Sequence, residues 1–305
     1  MSAPVVVLAG GTGGAKLARG MLDVVGPAEL VVIANTADDI EIYGAYVSPD
    51  PDLVTFWLAD RIDERGWGLA GDTFHTMEGL RELGLEVWFN LGDRDLAIGI
   101  ERARMLRAGA RLTEAQQALA RVLGVGARVL PMSDQPVRTR VTAQDRVWGL
   151  QEFMIRGAGR GPIQDLDVHG LRYARPSPEV MGVIGEARAI VIGPSNPAIS
   201  IGPILGLPGL RSALEQAAAP VVAVSPLVDG SVIKGPTEPF MQWLSQPLSS
   251  DGIASIYDGL IDGLIADERS ETVPTLETNV LMDTPAARAR VAADTLRFAL
   301  GLAGH

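Results

Sequence analysis

The apolar positions of this chain fall into short unbroken runs separated by turns rich in glycine, proline or acidic residues. Val5–Ala9 is the first, five apolar residues in a row, which fits a strand buried on both faces. Gly10, Gly11, Gly13 and Gly14 follow, and the stretch onward to Met21 predicts a helix. The buried-strand pattern returns at Leu30–Asn35, Ala189–Gly193, Val221–Ser225 and Gly263–Ala266. Helical spacing occupies Leu53–Ile62, Phe74–Leu83, Ala97–Ala108, Thr113–Leu123 and Pro285–Leu300. Asp72 and Thr73 stand before the second of these helices as a cap would, and Thr113 with Gln116 reads as a capping box for the fourth. Leu85–Asn90 reads as one more strand, leading into the charged turn Leu91–Asp95.

Between 129 and 178 the pattern changes to short β-like runs, VRTRVTA and RVWGLQEFMI, which predicts an inserted β-rich subdomain able to cover a site. Elsewhere strands and helices alternate. The expected architecture is therefore a single α/β domain over 1–305, a doubly wound, mostly parallel Rossmann-like sheet carrying that insert.

Composition narrows the chemistry. The 305 residues are 47% hydrophobic, enough for a large core, and no apolar run is long enough to cross a membrane. With no signal-like N-terminus either, a cytoplasmic protein without membrane contact is expected. A net charge of -11 argues against a nucleic-acid surface. The absence of cysteine leaves only oxygen and imidazole to hold a metal, and the histidines His75, His169 and His305 have no ligating spacing.

The glycine turn is the first candidate site. Without side chains its backbone can approach a ligand closely, and the N–H groups at the start of the following helix favour an anion. It matches neither common nucleotide pattern. Read as G-x-G-x-x-G it places Lys16 at the third glycine, and the next strand ends in Asn35 instead of a ribose-binding acid, which disfavours a dinucleotide. Ala15 before Lys16 and Leu17 after it rule out a Walker loop. Two acidic loops accompany the turn, with Asp38 and Asp39 in NTADD and Asp50 and Asp52 in SPDPDL. Such acids serve solubility in many loops, but beside a phosphate cradle they also suit Mg²⁺, which takes one or two carboxylates plus phosphate and water. The turn LGDRD fits either a local capping and salt-bridge network or a site role. A second polar loop, GPSNPAISIGPIL, offers Ser195, Asn196 and Ser200, and Lys234 is a further candidate phosphate contact.

Taken in order, AGGTGGAKLARG, NTADD, SPDPDL, LGDRDLA, LPMSDQPVRT, GPSNPAISIGPIL and VAVSPLVDG resemble the 2-phospho-L-lactate transferase family of coenzyme F-420 biosynthesis over nearly the whole chain. That resemblance implies transfer of a three-carbon phospho-acid from a guanosine-diphosphate-linked donor to the ribityl hydroxyl of the deazaflavin Fo, with release of GMP and use of Mg²⁺. It implies nucleotide binding by Gly10, Gly11, Thr12, Gly13, Gly14, Lys16, Ser195, Asn196 and Ser200. Metal binding and catalysis would fall to Asp38 and Asp52, with Asp39 and Asp50 beside them. Fo would lie against Asp52, Asn90, Ser133 and Asp134, and a homodimer is implied. Where relatives read PDLDT this chain reads Pro49-Asp50-Pro51-Asp52-Leu53, losing a hydroxyl beside a proposed ligand. The alternative is a regulatory protein that binds a nucleotide sugar without transferring anything. Such proteins have a glycine-rich DDGG loop, whereas this chain has Asp38-Asp39-Ile40-Glu41.

Overall fold

The computed structural model describes residues 3–232 and 235–303. In chain order the strands are β1 (Val5–Ala9), β2 (Leu30–Ala34), β3 (Ile40–Ile42), β4 (Ala45–Val47), β5 (Arg128–Pro131), β6 (Arg138–Ala143) and β7 (Arg146–Gly149). They continue with β8 (Ile163–His169), β9 (Ala189–Ile192), β10 (Val221–Val224), β11 (Leu227–Val228), β12 (Ser231–Val232), β13 (Gly263–Ala266) and β14 (Thr275–Glu277). Seven of them form the central sheet in the order β14-β13-β10-β9-β1-β2-β5. Every pairing within it is parallel.

β1 shows why the sheet is covered on both faces. All five of its residues are fully buried, yet Val6 and Leu8 pack into one core while Val5, Val7 and Ala9 pack into another. A period of two sends alternate side chains to opposite faces, so a continuous apolar run requires helices on both. The first core closes over Val180, Val183, Ile201 and Leu210. The second closes over Leu17 and Met21 of α1 (Gly11–Val25), Val54 of α2 (Pro49–Leu58) and Leu296 of the C-terminal helix Pro285–Leu302.

Strand order places the site. From β1 the chain moves outward to β2 and β5, and then returns to the other side of β1 through β9 and β10. The order therefore reverses between β1 and β9, and a crevice opens at the carboxyl ends of the strands on either side of such a reversal. The glycine turn leaves β1 there, and the loop Gly193–Asn196 leaves β9.

Three local expectations are corrected. Leu85–Asn90 forms no strand, because β5 takes the sheet edge beside β2; Leu85 is exposed, and Val87 and Phe89 lean on a small side cluster. β5 belongs to the central sheet, so the antiparallel insert β7-β6-β8 runs from 138 to 169 and not from 129. The second half of RVWGLQEFMI is helical, forming α6 (Leu150–Ile155) after α3 (His75–Glu82), α4 (Asp93–Arg107) and α5 (Leu112–Val122). Among the described residues no helix is long and apolar enough to cross a membrane.

Candidate active site

A cavity of about 330 Å³ lies at this reversal. Gly10, Gly11, Thr12, Gly13 and Lys16 line it on one side, and Ser195, Asn196 and Ser200 on the other. Three of the glycines, Gly10, Gly13 and Gly14, are required by contact. A Cβ on Gly13 would stand 2.0 Å from the Pro194 carbonyl oxygen, and one on Gly10 would stand 2.6 Å from Ser200 Cβ and 2.7 Å from Asp50 Oδ2. Gly14 sits behind the cavity against Ser195. Asn196 shapes the second loop: its Oδ1 accepts from the N–H groups of Ala198 at 2.9 Å and Ile199 at 3.1 Å, starting a short π-helix, Pro197–Ile201. Its Nδ2 is buried with no hydrogen-bond partner, a donor that needs an acceptor.

The acidic loops meet the glycine turn directly. Asp50 accepts from the Gly11 N–H at 2.6 Å and from Asn35 Nδ2 at 3.0 Å. Asn35, standing where a dinucleotide site would carry an acid, thus holds an acid in place. Asp39 accepts from Tyr46 Oη at 2.9 Å and Ser48 Oγ at 2.7 Å, and Arg138 of the insert donates to the same tyrosine at 3.2 Å. Asp38 accepts from Gln151 Nε2 at 2.9 Å through Oδ2, while its Oδ1 is buried and unpartnered.

These carboxyls hold protons more tightly than usual. Burial, then the charges of Asp50 and Asp39, push Asp38 well above the carboxylate range. Burial lifts Asp50 to about 6 against the donors Asn35 and Gly11, and lifts Asp39 to about 7 against Arg138, Ser48 and Tyr46. Among the described residues no three His, Cys, Asp or Glu side chains form a protein-only metal cage. Crowded acids with one bare, buried oxygen fit a hard divalent cation that keeps positions for phosphate and water.

A pH dependence follows. In the folded chain these groups bind protons at values where an unfolded carboxyl, near 4, has released them. That contribution to stability is complete below the unfolded value and disappears as pH rises through about 6 to 7. Melting in EDTA should therefore occur several degrees higher near pH 5 than near pH 8, and Asp50→Asn should flatten the difference. An equal difference in the variant would dissociate it from this cluster.

The proposed acceptor side is arranged differently from the expectation. Both oxygens of Asp52 accept from the guanidinium of Arg102, which is fully buried and also donates to the Tyr46 carbonyl at 3.0 Å. The carboxylate whose charge acts on Asp38 is Asp50, while Asp52 is committed to the buried Arg102. Asn90 accepts from Arg81 at 2.7 Å. Ser133 is fully buried and donates to the Arg175 carbonyl at 2.7 Å. Asp134 pairs with Arg111 and accepts from the Thr113 N–H at 2.8 Å. Thr113 is therefore not the cap of α5; Arg111 is its N-cap residue, and the Arg111 backbone N–H and Nε both donate to Glu114, at 2.9 and 3.3 Å. No hydrogen bond or ion pair joins any two of Asp52, Asn90, Ser133 and Asp134.

LGDRD is a capping device. Asp93 accepts from the N–H groups of His75 and Thr76 at the start of α3, while Asp72 accepts from those of Arg94 and Asp95 at the start of α4. His75 and His169 are exposed, and Lys234 and His305 lie outside the described residues. Sequence reasoning missed Met154, Ser225, Pro226 and Val280–Met282, which also line the cavity, together with Val228 and Gly235, Pro236 and Thr237. Ser225 and Pro226 follow β10, so the rule that ligands sit beyond the carboxyl ends of parallel strands would have found them. Met154 comes from the insert and carries no such signal.

With the geometry in place, the comparisons are consistent. The model of the family described as 2-phospho-L-lactate transferase CofD matches residues 5–297. A 2-phospho-L-lactate transferase from Methanosarcina mazei is 39% identical over 265 residues, covering 87% of each chain. A phosphoenolpyruvate transferase from Kitasatospora aureofaciens is 40% identical over 275 residues, covering 88% of this chain and 86% of its own. Among solved structures, a UPF0052-family protein from Bacillus halodurans superposes with a TM-score of 0.62 at 19% identity, covering 97% of this chain and 99% of that one. At that identity it shares the fold.

Proposed function

Because the chain belongs to the 2-phospho-L-lactate transferase CofD family, we propose that it transfers a three-carbon phospho-acid from a guanosine-diphosphate-linked donor to the ribityl hydroxyl of Fo, releasing GMP. The observation that carries this is that the glycine turn and the GPSNP loop face each other across one cavity, with Asp50 held on Gly11 of that turn and Asp38 within range of its charge. Relatives named for phospholactate and for phosphoenolpyruvate are about equally similar, so the donor acid is left to experiment.

Each element of the chain has a task in that reaction. The first turn of α1 leaves N–H groups without helical partners. Those of Gly10 and Gly11 are taken by Ser195 Oγ and Asp50, and those of Thr12 and Gly13 come next, in residues that line the cavity. Together with Lys16 they would hold the diphosphate. Asn196 Nδ2 is an additional donor for a phosphate or sugar oxygen. Asp38 and Asp50 would bind Mg²⁺, which when present supplies charge neutralisation for the diphosphate oxygens. Asp39 stays beside them, fixed by Tyr46 and Ser48. Asp52, with both oxygens on Arg102, is poorly placed to accept a proton from the ribityl hydroxyl, and we assign it to holding the floor of the site. Ser133, Asp134 and Asn90 all have protein partners; Asn90, partly exposed and engaged by Arg81 through its oxygen, is the better candidate for direct contact with Fo than the fully buried Ser133 or the Arg111-paired Asp134.

The test is incubation with Fo, Mg²⁺ and each guanosine-diphosphate-linked acid in turn, following product mass and GMP. Product with one acid, and none after EDTA, is the expected result. A folded protein that binds guanine nucleotide but makes no product with any acid would favour the regulatory binder.

A further inference from the structure

We propose that Gln151 is a positioning residue that aims Asp38 at the divalent cation, so that the inserted β-rich segment completes the site from outside the central domain. This rests on the reading of Asp38 and Asp50 as cation ligands.

The insert is anchored so that Gln151 has little freedom. Leu150 and Phe153 of α6 are buried in a separate cluster, where Phe153 meets Phe240 edge to face at 6.2 Å between ring centres. Trp148 closes the preceding strand by donating to the Ala143 carbonyl at 2.9 Å. Fixing Leu150 and Phe153 in this core, with Met154 packed at its edge, sets the phase of the helix and turns Gln151 toward the acidic loop. Met154 lines the cavity, and Gln151 Nε2 donates to Asp38 Oδ2 at 2.9 Å. The insert also touches the acidic loop through its backbone, where the Thr139 N–H donates to the Ala37 carbonyl. Asp38 is thereby approached from two sides.

The consequence is chemical. The terminal torsion of an aspartate is broad, so an unrestrained carboxylate presents its oxygens in many directions. A single donor on Oδ2 fixes the plane and leaves Oδ1, buried and unpartnered, as the free acceptor. Mg²⁺ tolerates little departure from octahedral geometry, so a carboxylate already oriented binds it better than one that must be ordered. No other described side chain donates a hydrogen bond to Asp38.

The test is Mn²⁺ titration followed by electron paramagnetic resonance in the presence of GDP, on the full chain. Gln151→Ala and Gln151→Asn, the latter too short to span the contact, should each bind Mn²⁺ roughly tenfold or more weakly. Metal-free GDP affinity and melting temperature should match the parent. In an Asp38→Asn background, Gln151→Ala should add nothing, as expected when one residue acts through another. The inference is overturned if either folded variant binds Mn²⁺ as tightly as the parent, or if the loss persists in full without the Asp38 carboxylate. Failure of the parent itself to bind Mn²⁺ with GDP would overturn the underlying assignment of the ligands as well.

Discussion

Asp50→Asn is expected to lower turnover roughly 10²- to 10³-fold while the protein still binds GDP in the absence of metal. The carboxylate serves two donors, the Gly11 N–H and Asn35 Nδ2, and neighbours Asp38. An asparagine in its place has one acceptor oxygen, so whichever donor it satisfies, its own amide confronts the other. Under the proposed assignment the substitution removes a charge that would face the cation and also loosens the glycine turn that would hold phosphate. Raising Mg²⁺ should recover part of the loss, because affinity for the cation falls along with charge. Steady-state rates at increasing Mg²⁺, with calorimetric titration of GDP in EDTA, check both points. Near-parent turnover would remove Asp50 from the chemistry and restore Asp52 as the alternative.

Arg102→Met should cost about 3–5 kcal/mol of folding stability, the range for breaking a buried ion pair from one side. Arg102 is fully buried, Asp52 is 6% exposed, and the guanidinium ties α4 to α2 and to the backbone of β4 at Tyr46. It reaches Gln116 of α5 as well, at 3.2 Å. Removing it strands the Asp52 carboxylate without its partner, and domains are stable by only about 5–15 kcal/mol in total. Replacing both residues with apolar side chains, as in Arg102→Met with Asp52→Leu, should recover much of the loss, because the desolvated charges leave together. Urea unfolding of the two single variants and the double variant gives the coupling directly. Additive losses would show that the pair is not the organising contact of this corner. Activity separates the roles further: if Asp52 holds the site floor, the stabilised double variant should retain more activity than Asp50→Asn.

The fold was legible where side-chain period and burial coincide. β1, β2, β9, β10 and β13 are continuous apolar runs because both faces of each are covered, so the run itself marks a central parallel strand. Leu85–Asn90 has strand-favouring residues in Val87, Trp88 and Phe89 but not the environment: strand formation needs a neighbouring edge, and the edge beside β2 is already taken by β5. The glycine turn and Ser195, Asn196 and Ser200 were legible because loops at the carboxyl ends of adjacent parallel strands must converge. The choice between Asp50 and Asp52 was not. They lie two residues apart on the first turn of α2, and about 100° per residue turns them to different neighbours, one toward Gly11 and the other toward Arg102. Spacing cannot reveal a counter-charge fifty residues away. For the same reason nothing in RVWGLQEFMI announces Gln151, whose role depends on how the insert folds back over the acidic loop.

On the proposed reading, cation and phosphate meet between the glycine turn and Asp38 with Asp50. Anomalous diffraction from crystals grown with GDP and Mn²⁺ tests it most directly. A manganese peak against Asp38 and Asp50, with the nucleotide phosphates against the Gly10–Gly13 turn, is the expected result. A peak on Asp52 with Arg102 displaced, or GDP bound outside this cavity, would contradict it.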